Sequence, residues 1–508
     1  MTQGAKLLPR LVSFSWIALT ACSGPPGQVQ PVDAAVLPDA ELPDTWPDCV
    51  PTAEQQTVTF VHTGDLHATY TPDAPGESPV SRIRGFYEWT RWESPYTVFT
   101  DAGDAHEKGS VAELLSAGAA TREIVRAMGY HVRVIGNHDF AWSLAELLAF
   151  SGDPHALVLA SNTTYDGTSG FGAEAYGELD VGCVRIGFFG MVSRPWNERN
   201  EQFDGPYYPE LDTRYDFTTR AEEIVADHLG EVDLLVMVSH LELATDEGLA
   251  EDVPGIDVVL GGHTHAALEA PLIRGDDTLI VHTGAYARYV ARLDVDLDLR
   301  TGDRLAHRYE LVPNDVGSLP AEAELQAVVE QVMATYAPEA LHESGRLAAD
   351  RAVAEIAELT ARAAVHHLAV DAAIVDQDTV WQSWSAGPLT QQDLADTFRV
   401  ERQPVGTPGF NSFYVVSVLG EDLVWLRYSL SLAFALVGPE QPDPTATYLL
   451  ALQKHAVFDP DAYLPPEVEI VAPAPASEAW AVLDAYARFR ADSCLHLDVD
   501  TPLPDCLP

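Results

Sequence analysis

Five times between residues 57 and 265 a short apolar run gives way within three residues to aspartate, histidine or asparagine. Residues 57–62 lead into Thr63-Gly64-Asp65-Leu66-His67, and residues 96–100 lead into Asp101-Ala102-Gly103-Asp104. Residues 132–135 lead into Gly136-Asn137-His138-Asp139, residues 233–238 into Ser239-His240, and residues 256–260 into Gly261-Gly262-His263-Thr264-His265. Runs this short, bounded by glycine, predict buried strands. The stretches between them predict helices, one from about Val111 to Met128 and another opened by Ser143 and Glu146 as a capping box. Strands alternating with helices predict an α/β layered fold, and loops at strand ends are where such folds keep their chemistry. One histidine at a strand end is ordinarily structural; five clusters in one chain point to a site.

Carboxylate, imidazole and amide oxygen suit Mn²⁺, Fe, Co²⁺ or Zn²⁺, and the lack of thiolates disfavours Cu(I) and iron–sulfur clusters. Asp65, His67, Asp104, Asn137, His240, His263 and His265 are too many for one tetrahedral site. They suit two divalent ions bridged by a carboxylate, an arrangement suited to in-line displacement at phosphorus. In order and spacing these motifs resemble the calcineurin-like metallophosphoesterases, and more closely their 5′-nucleotidase and 2′,3′-cyclic-nucleotide phosphodiesterase branch. The resemblance covers roughly residues 57–300 and ends in the alternating run 293–299, which predicts a half-exposed strand.

The resemblance implies a four-layer α/β/β/α catalytic domain holding two metal ions (Mn, Zn, Fe or Co). Asp65, His67 and His265 would bind one, Asn137, His240 and His263 the other, and Asp104 would bridge them. A metal-bound hydroxide would attack phosphorus, and His138 would stabilise the transition state or protonate the leaving oxygen. The nucleotidases place an Asp three residues after that His to orient it; this chain has Ala141. Two carboxylates are candidates to replace it: Asp139, adjacent in sequence, and Glu107, preferred because the resemblance places the Asp partner of this His three residues after Asp104 in other metallophosphoesterases. His62, His282, His366 and His367 read as core or surface, whereas His106 and Lys108 flank a ligand loop.

Residues 317–350, rich in Ala, Glu and Leu, predict a helical linker between a catalytic domain at 56–316 and a second domain at 351–508. Segments 358–375, 389–394 and 413–420 resemble the smaller α/β C-terminal, substrate-binding domain of the nucleotidases. There the resemblance implies an Asn-Gly-Gly run closed by an arginine, but this chain reads Asp376-Gln377-Asp378-Thr379-Val380-Trp381, leaving Arg399 or Arg402 as substitutes. Phe410 with Asn411 matches the first base-stacking position, and Tyr448, Phe458 and Tyr463 are candidates for the second ring. The expected function is two-metal hydrolysis of a small phosphorylated substrate, 5′-nucleotidase-like. The alternatives are hydrolysis of a non-nucleotide anion (a sugar phosphate, a cell-envelope or sulfur-linked ester) and a non-catalytic metal-binding surface lipoprotein.

The N-terminus reads as an export signal over residues 1–21: Lys6 and Arg10 precede an apolar run too short to span a bilayer, ending in Leu19-Thr20-Ala21-Cys22. This resembles a bacterial lipobox and implies lipidation of Cys22, with outer membrane or cell surface as the favoured location and no transmembrane helix. Residues 22–55, rich in proline and acids, predict an extended tether. Of the other four cysteines, Cys494 and Cys506 are close in sequence and form the preferred disulfide, which leaves Cys49 with Cys183. A net charge of −48, from 77 acidic and 29 basic residues, excludes a nucleic-acid polymer as a broad-surface partner, and a monomer is expected.

Overall fold

Two six-stranded sheets stack face to face, and each carries helices on its outer face. The computed structural model describes residues 46–503, apart from 51, 74–75, 166, 168–170, 196–201, 203, 399–410, 431–432, 467 and 469–470. The proposed signal, Cys22, most of the tether, Arg399, Arg402, Phe410 and Cys506 therefore lie outside the described residues.

The first sheet runs Arg304–Pro313, Tyr289–Asp298, Gln55–Thr63, Thr97–Asp101, Val132–Val134, Leu157–Leu159. The second runs Leu272–Arg274, Thr278–His282, Val258–Gly261, Leu234–His240, Val184–Val192, Gly177–Val181. Side-chain parity divides the layers, because successive residues of a strand face opposite ways. Val58, Phe60 and Val98 meet Val236, Val238 and Leu260 in a dry layer between the sheets. Val61 and Phe99 turn outward to Ile83, Ile124 and Val125 of the helices Pro79–Glu93 and Ala119–Met128. Leu235, Met237 and Val259 turn the other way, to Ala221, Ile224 and Leu249 of the helices Phe217–His228 and Leu243–Asp252. Helix, sheet, sheet, helix is thus written in the alternation of each strand. Leu293, Val295 and Leu297 also enter the dry layer, while Asp294 and Asp296 accept hydrogen bonds from Thr59 and Thr57 and pair with Arg308.

The central strands of each sheet are parallel, so their carboxyl ends share one edge. Thr63 pairs with Asp101 in the first sheet, and Gly261 with Ser239 in the second. All five loops that carry the candidate ligands leave from these ends.

Two expected elements differ. The helix from Val111 to Met128 is broken into Val111–Ser116 and Ala119–Met128, with Ala117 (φ 52°) and Gly118 (φ 94°) left-handed between them. A Cβ on Gly118 would lie 2.6 Å from the Trp142 ring, so the break makes room for that indole. The linker helix covers only Ala323–Tyr336, and Glu343–Leu347 is instead a strand paired with Gly387–Thr390. Beyond it, a five-stranded sheet runs Phe434–Val437, Ala372–Asp376, Thr447–Gln453, Ser412–Leu419, Val471–Glu478. One continuous apolar cluster extends from Val61 through Val329 and Leu394 to Trp480. Gln392 bridges the two regions, accepting from Thr71 Oγ1 and from the backbone N–H of Val111. Cys49 and Cys183 are disulfide-bonded, joining the chain's entry to the second sheet. Cys494 is also disulfide-bonded.

Candidate metal centre

The ligand loops clasp one another through the backbone. Asp65 N–H donates to Gly103 O at 2.8 Å and His67 N–H to Asp104 O at 2.9 Å. Asp65, His67, Asp104, Glu107, His263 and His265 all have positive φ, between 47° and 70°. Non-glycine residues seldom adopt this conformation, and it persists where surrounding contacts enforce it. Gly136 permits the closest approach: a Cβ there would stand 2.2 Å from Asp104 Oδ1.

The result is two triplets, Asp65–His67–His265 and Asp104–His240–His263, each with its ligand atoms within 4.8 Å of one another. Asp104 lies between them, with Oδ2 3.1 Å from His240 Nε2 and 3.9 Å from His67 Nε2. Asn137 Oδ1 joins the second triplet at 3.1 Å from His240 Nε2.

The chemistry of these donors fits cations. His67 Nδ1 faces the His106 carbonyl at 3.1 Å and His240 Nδ1 the Ala102 carbonyl at 2.6 Å, so both donate through Nδ1 and leave Nε2 as a lone pair. The His67 lone pair stands 3.0 Å from His265 Nε2, and that of His240 faces two oxygens at 3.1 Å. Atoms of this kind, so close and so buried, repel unless positive charge lies among them. Without a cation, burial pushes Asp65 up and holds His263 down to about 3. Burial also opposes charge on His240, yet Asp104 raises it to about 10, a proton standing where a cation would go.

His138 Nδ1 meets Glu107 Oε2 at 2.6 Å, and its Nε2 lies 3.9 Å from Asp104 Oδ2. Of the two carboxylates considered for His138, Glu107 is the one beside it. Asp139 turns away: Oδ2 accepts from the N–H groups of Gly136 (2.8 Å) and Asp104 (3.1 Å), and Oδ1 from Ala105 N–H and His106 Nδ1. A short side chain on the residue after His138 reaches these amides more readily than the imidazole, so Asp139 ties the Asp104 loop to the Asn137 loop. His106, paired with it, is buried rather than facing a substrate. His62 and His282 are buried behind the centre, on Thr100 and Asp246, and His366 packs on Phe489.

Three neighbours escaped the sequence reading. Glu113, buried, accepts from Glu107 N–H at 2.6 Å and Trp142 Nε1 at 2.8 Å, fixing the loop that carries Glu107. The Tyr286 ring stands 5.1 Å from that of His67 and 5.3 Å from that of His265, with the Arg288 guanidinium over it at 5.5 Å. Tyr286 and Arg288 follow the apolar run 279–281, a strand-end position like the other five, and that pattern could have flagged them.

In the C-terminal region, Asn411 is buried with Oδ1 3.4 Å from Gln453 Nε2. Asp376 pairs with His455 at 3.1 Å. Phe458 packs edge-on against Tyr414, Tyr463 edge-on against His455, and Tyr448 O–H accepts from Asp443 N–H.

Two stacked sheets with ligand loops at one shared edge define a metallophosphoesterase fold. Residues 58–267 match the calcineurin-like phosphoesterase family and form a calcineurin-like metallophosphoesterase domain. That family uses divalent metals. Among curated relatives, a 5′-nucleotidase of Bos taurus is 23% identical over 314 residues, covering 54% of this chain and 52% of the relative. An uncharacterized metallophosphoesterase of Bacillus subtilis, YunD, is 29% identical over 358 residues, covering 67% of this chain and 72% of the relative. The chain spans about half the length of most of the curated nucleotidases it matches. The crystal structure of a 5′-nucleotidase precursor from Thermus thermophilus superposes with a TM-score of 0.63 at 18% identity, over 85% of this chain and 96% of the other.

Proposed function

We propose that the chain is a two-metal hydrolase of phosphate monoesters, 5′-nucleotidase-like in its centre. The observation that carries this reading is the pair of buried triplets facing each other across Asp104, with His138 held beside them by Glu107. Asp65, His67 and His265 would hold one divalent ion and Asn137, His240 and His263 the other, with Asp104 shared. Such ions supply an activated water and neutralise charge on the phosphoryl oxygens. The chain's own residues do the rest. His138, through Nε2, delivers a proton to the leaving oxygen, and Glu107 fixes its tautomer and orientation through Nδ1. Asp139 keeps the Asp104 and Asn137 loops in register, and the dry layer between the sheets keeps the strand ends rigid.

The 351–508 region would present the leaving-group side of the substrate. Loss of the glycine–arginine motif at 376–381 favours a second reading, in which the leaving group is not a nucleoside. The N-terminal segment would be cleaved before Cys22 and the lipidated chain held outside the cytoplasm. The test is direct: mature protein, stripped by a chelator and reloaded with Mn²⁺, should release phosphate from at least one of a nucleotide, a sugar phosphate and an aryl phosphate. Release from none of them rejects the hydrolase reading.

A further inference from the structure

Arg288 is set apart by what its side chain does not touch. With 77 acidic residues against 29 lysines and arginines, an arginine in this chain is surrounded by potential partners. Its neighbours on the same sheet show the rule: Arg292 pairs with Glu93 and Asp294, Arg304 with Asp277, and Arg308 with Asp294 and Asp296. Among the described residues, the exposed Arg288 guanidinium meets no carboxylate or carbonyl oxygen, and its contact is the face of Tyr286 at 5.5 Å. A cation–π contact at an exposed site is worth only ~0.5–1 kcal/mol, too little to specify a residue.

The loop beneath it is built with care. Tyr286 (φ 59°) and Ala287 (φ 52°) are consecutive left-handed residues without glycine. Four hydrogen bonds hold them there: Gly284 N–H to Ala266 O, Tyr286 N–H to Asp65 O, Asn314 Nδ2 to Ala287 O and Asn314 N–H to Arg288 O, each 2.7–2.8 Å. One of those acceptors is the backbone of Asp65 itself. Strained backbone enforced from several sides is characteristic of functional segments. Here it sets Tyr286 against His67 and His265 and carries Arg288 just outside, no farther from the His67 ring than 5.1 Å and 5.5 Å laid end to end.

We propose that Arg288 receives a second anionic group of the substrate, a carboxylate or a phosphate on the leaving-group side, so that the centre prefers phosphoesters whose leaving group is itself charged. This rests on the phosphoester reading above. A guanidinium offers a planar fork of donors matched to either anion. The Tyr286 ring touches both it and the candidate ligands His67 and His265, a flat surface along which a short linker would run.

The test compares three phosphonates of one chain length on the full Mn²⁺-loaded chain by titration calorimetry: butylphosphonate, 4-phosphonobutyrate and butane-1,4-bisphosphonate. Wild type should bind at least one charged probe about ten-fold or more tightly than butylphosphonate, as one charged hydrogen bond allows, and the better probe tells carboxylate from phosphate. Arg288→Gln should bring that ratio close to one, and Arg288→Lys should keep part of it. A wild-type ratio near one, a ratio that survives Arg288→Gln, or an equal weakening of all three probes overturns the proposal. Failure of wild type to bind any of the three removes the phosphoester reading itself, which is a different result.

Discussion

Glu107→Gln separates the roles assigned to the residues around His138. The imidazole Nδ1 and Glu107 Oε2 are 2.6 Å apart, and the Glu107 side chain is wholly buried. Glutamine keeps the shape and a hydrogen-bond acceptor but removes the charge. A hydrogen bond to a charged partner contributes about 1.5–3 kcal/mol. If His138 gives its proton to the leaving oxygen, that stabilisation is needed when the ring is cationic, and its loss lowers the rate by about 10- to 100-fold. The effect depends on the leaving group. 4-Nitrophenolate departs without a proton, whereas an alkoxide does not. Steady-state kinetics on 4-nitrophenyl phosphate and on an alkyl phosphate should therefore show the loss in kcat for the alkyl ester and a change within about three-fold for the aryl ester. His138→Ala should show the same split, and the double variant should be no worse than His138→Ala, because the two side chains act as one unit. Equal losses on both esters would refute the proton-delivery role, and no loss on either would refute the partnership.

Asp139→Asn should act on the scaffold, since one of its two acceptor oxygens, serving Gly136 and Asp104 or Ala105 and His106, becomes a donor. Leaving a buried N–H unsatisfied costs about 1–3 kcal/mol, so the denaturation midpoint and metal retained after dialysis should both fall; an unaltered midpoint contradicts this. Asp101 is fully buried, and burial raises it to about 7. A carboxyl raised on folding adds stability at pH 4 that is lost as pH rises through 7. In chelator-treated protein Asp101→Asn should thus stabilise by up to about 4 kcal/mol at pH 8 and by little at pH 4, and a pH-independent difference would exclude that cause. Replacing Cys49 and Cys183 by serine opens a loop of 134 residues and should cost no more than about 5 kcal/mol by chain entropy, read from urea denaturation; a variant as stable as wild type would show that the bridge adds nothing.

The layered fold was legible because the strands are buried on both faces, and a strand so placed must be a short apolar run. That the candidate ligands would gather was legible because parallel strands bring their carboxyl ends to one edge, so that Asp65, Asn137 and His263, far apart in sequence, share a neighbourhood. What escaped was whatever depends on where a side chain turns. Asp139 and Glu107 are both carboxylates near His138, and only the loop geometry, with Glu107 at φ 66° and Asp139 against four backbone amides, separates them. The break at Gly118 follows from Trp142, 24 residues on, which no local pattern contains. Glu113 lay inside a predicted helix, where an acid ordinarily faces water; here it is buried under Trp142 and Thr121.

A charge of −48 first suggests that an anion would be repelled, but the structure shows how the acidity is distributed. Most arginines of the first sheet's edge are already neutralised by carboxylates, so the surplus acids stand at the surface and are screened over ~10 Å by ordinary salt. At the strand ends the balance differs. Asp65 and Asp104 are the carboxylates of the two triplets, the other members would bind metal as neutral imidazoles, and two divalent ions would leave an excess of positive charge. Arg288 stands beside the Asp65–His67–His265 triplet, in contact with it through Tyr286. In a chain so poor in bases, a guanidinium with no carboxylate beside it among the described residues, next to a centre that two divalent ions would make cationic, is destabilising unless an anion comes to it. The same arrangement that would weaken the empty protein therefore concentrates its attraction for anions at one edge of the fold.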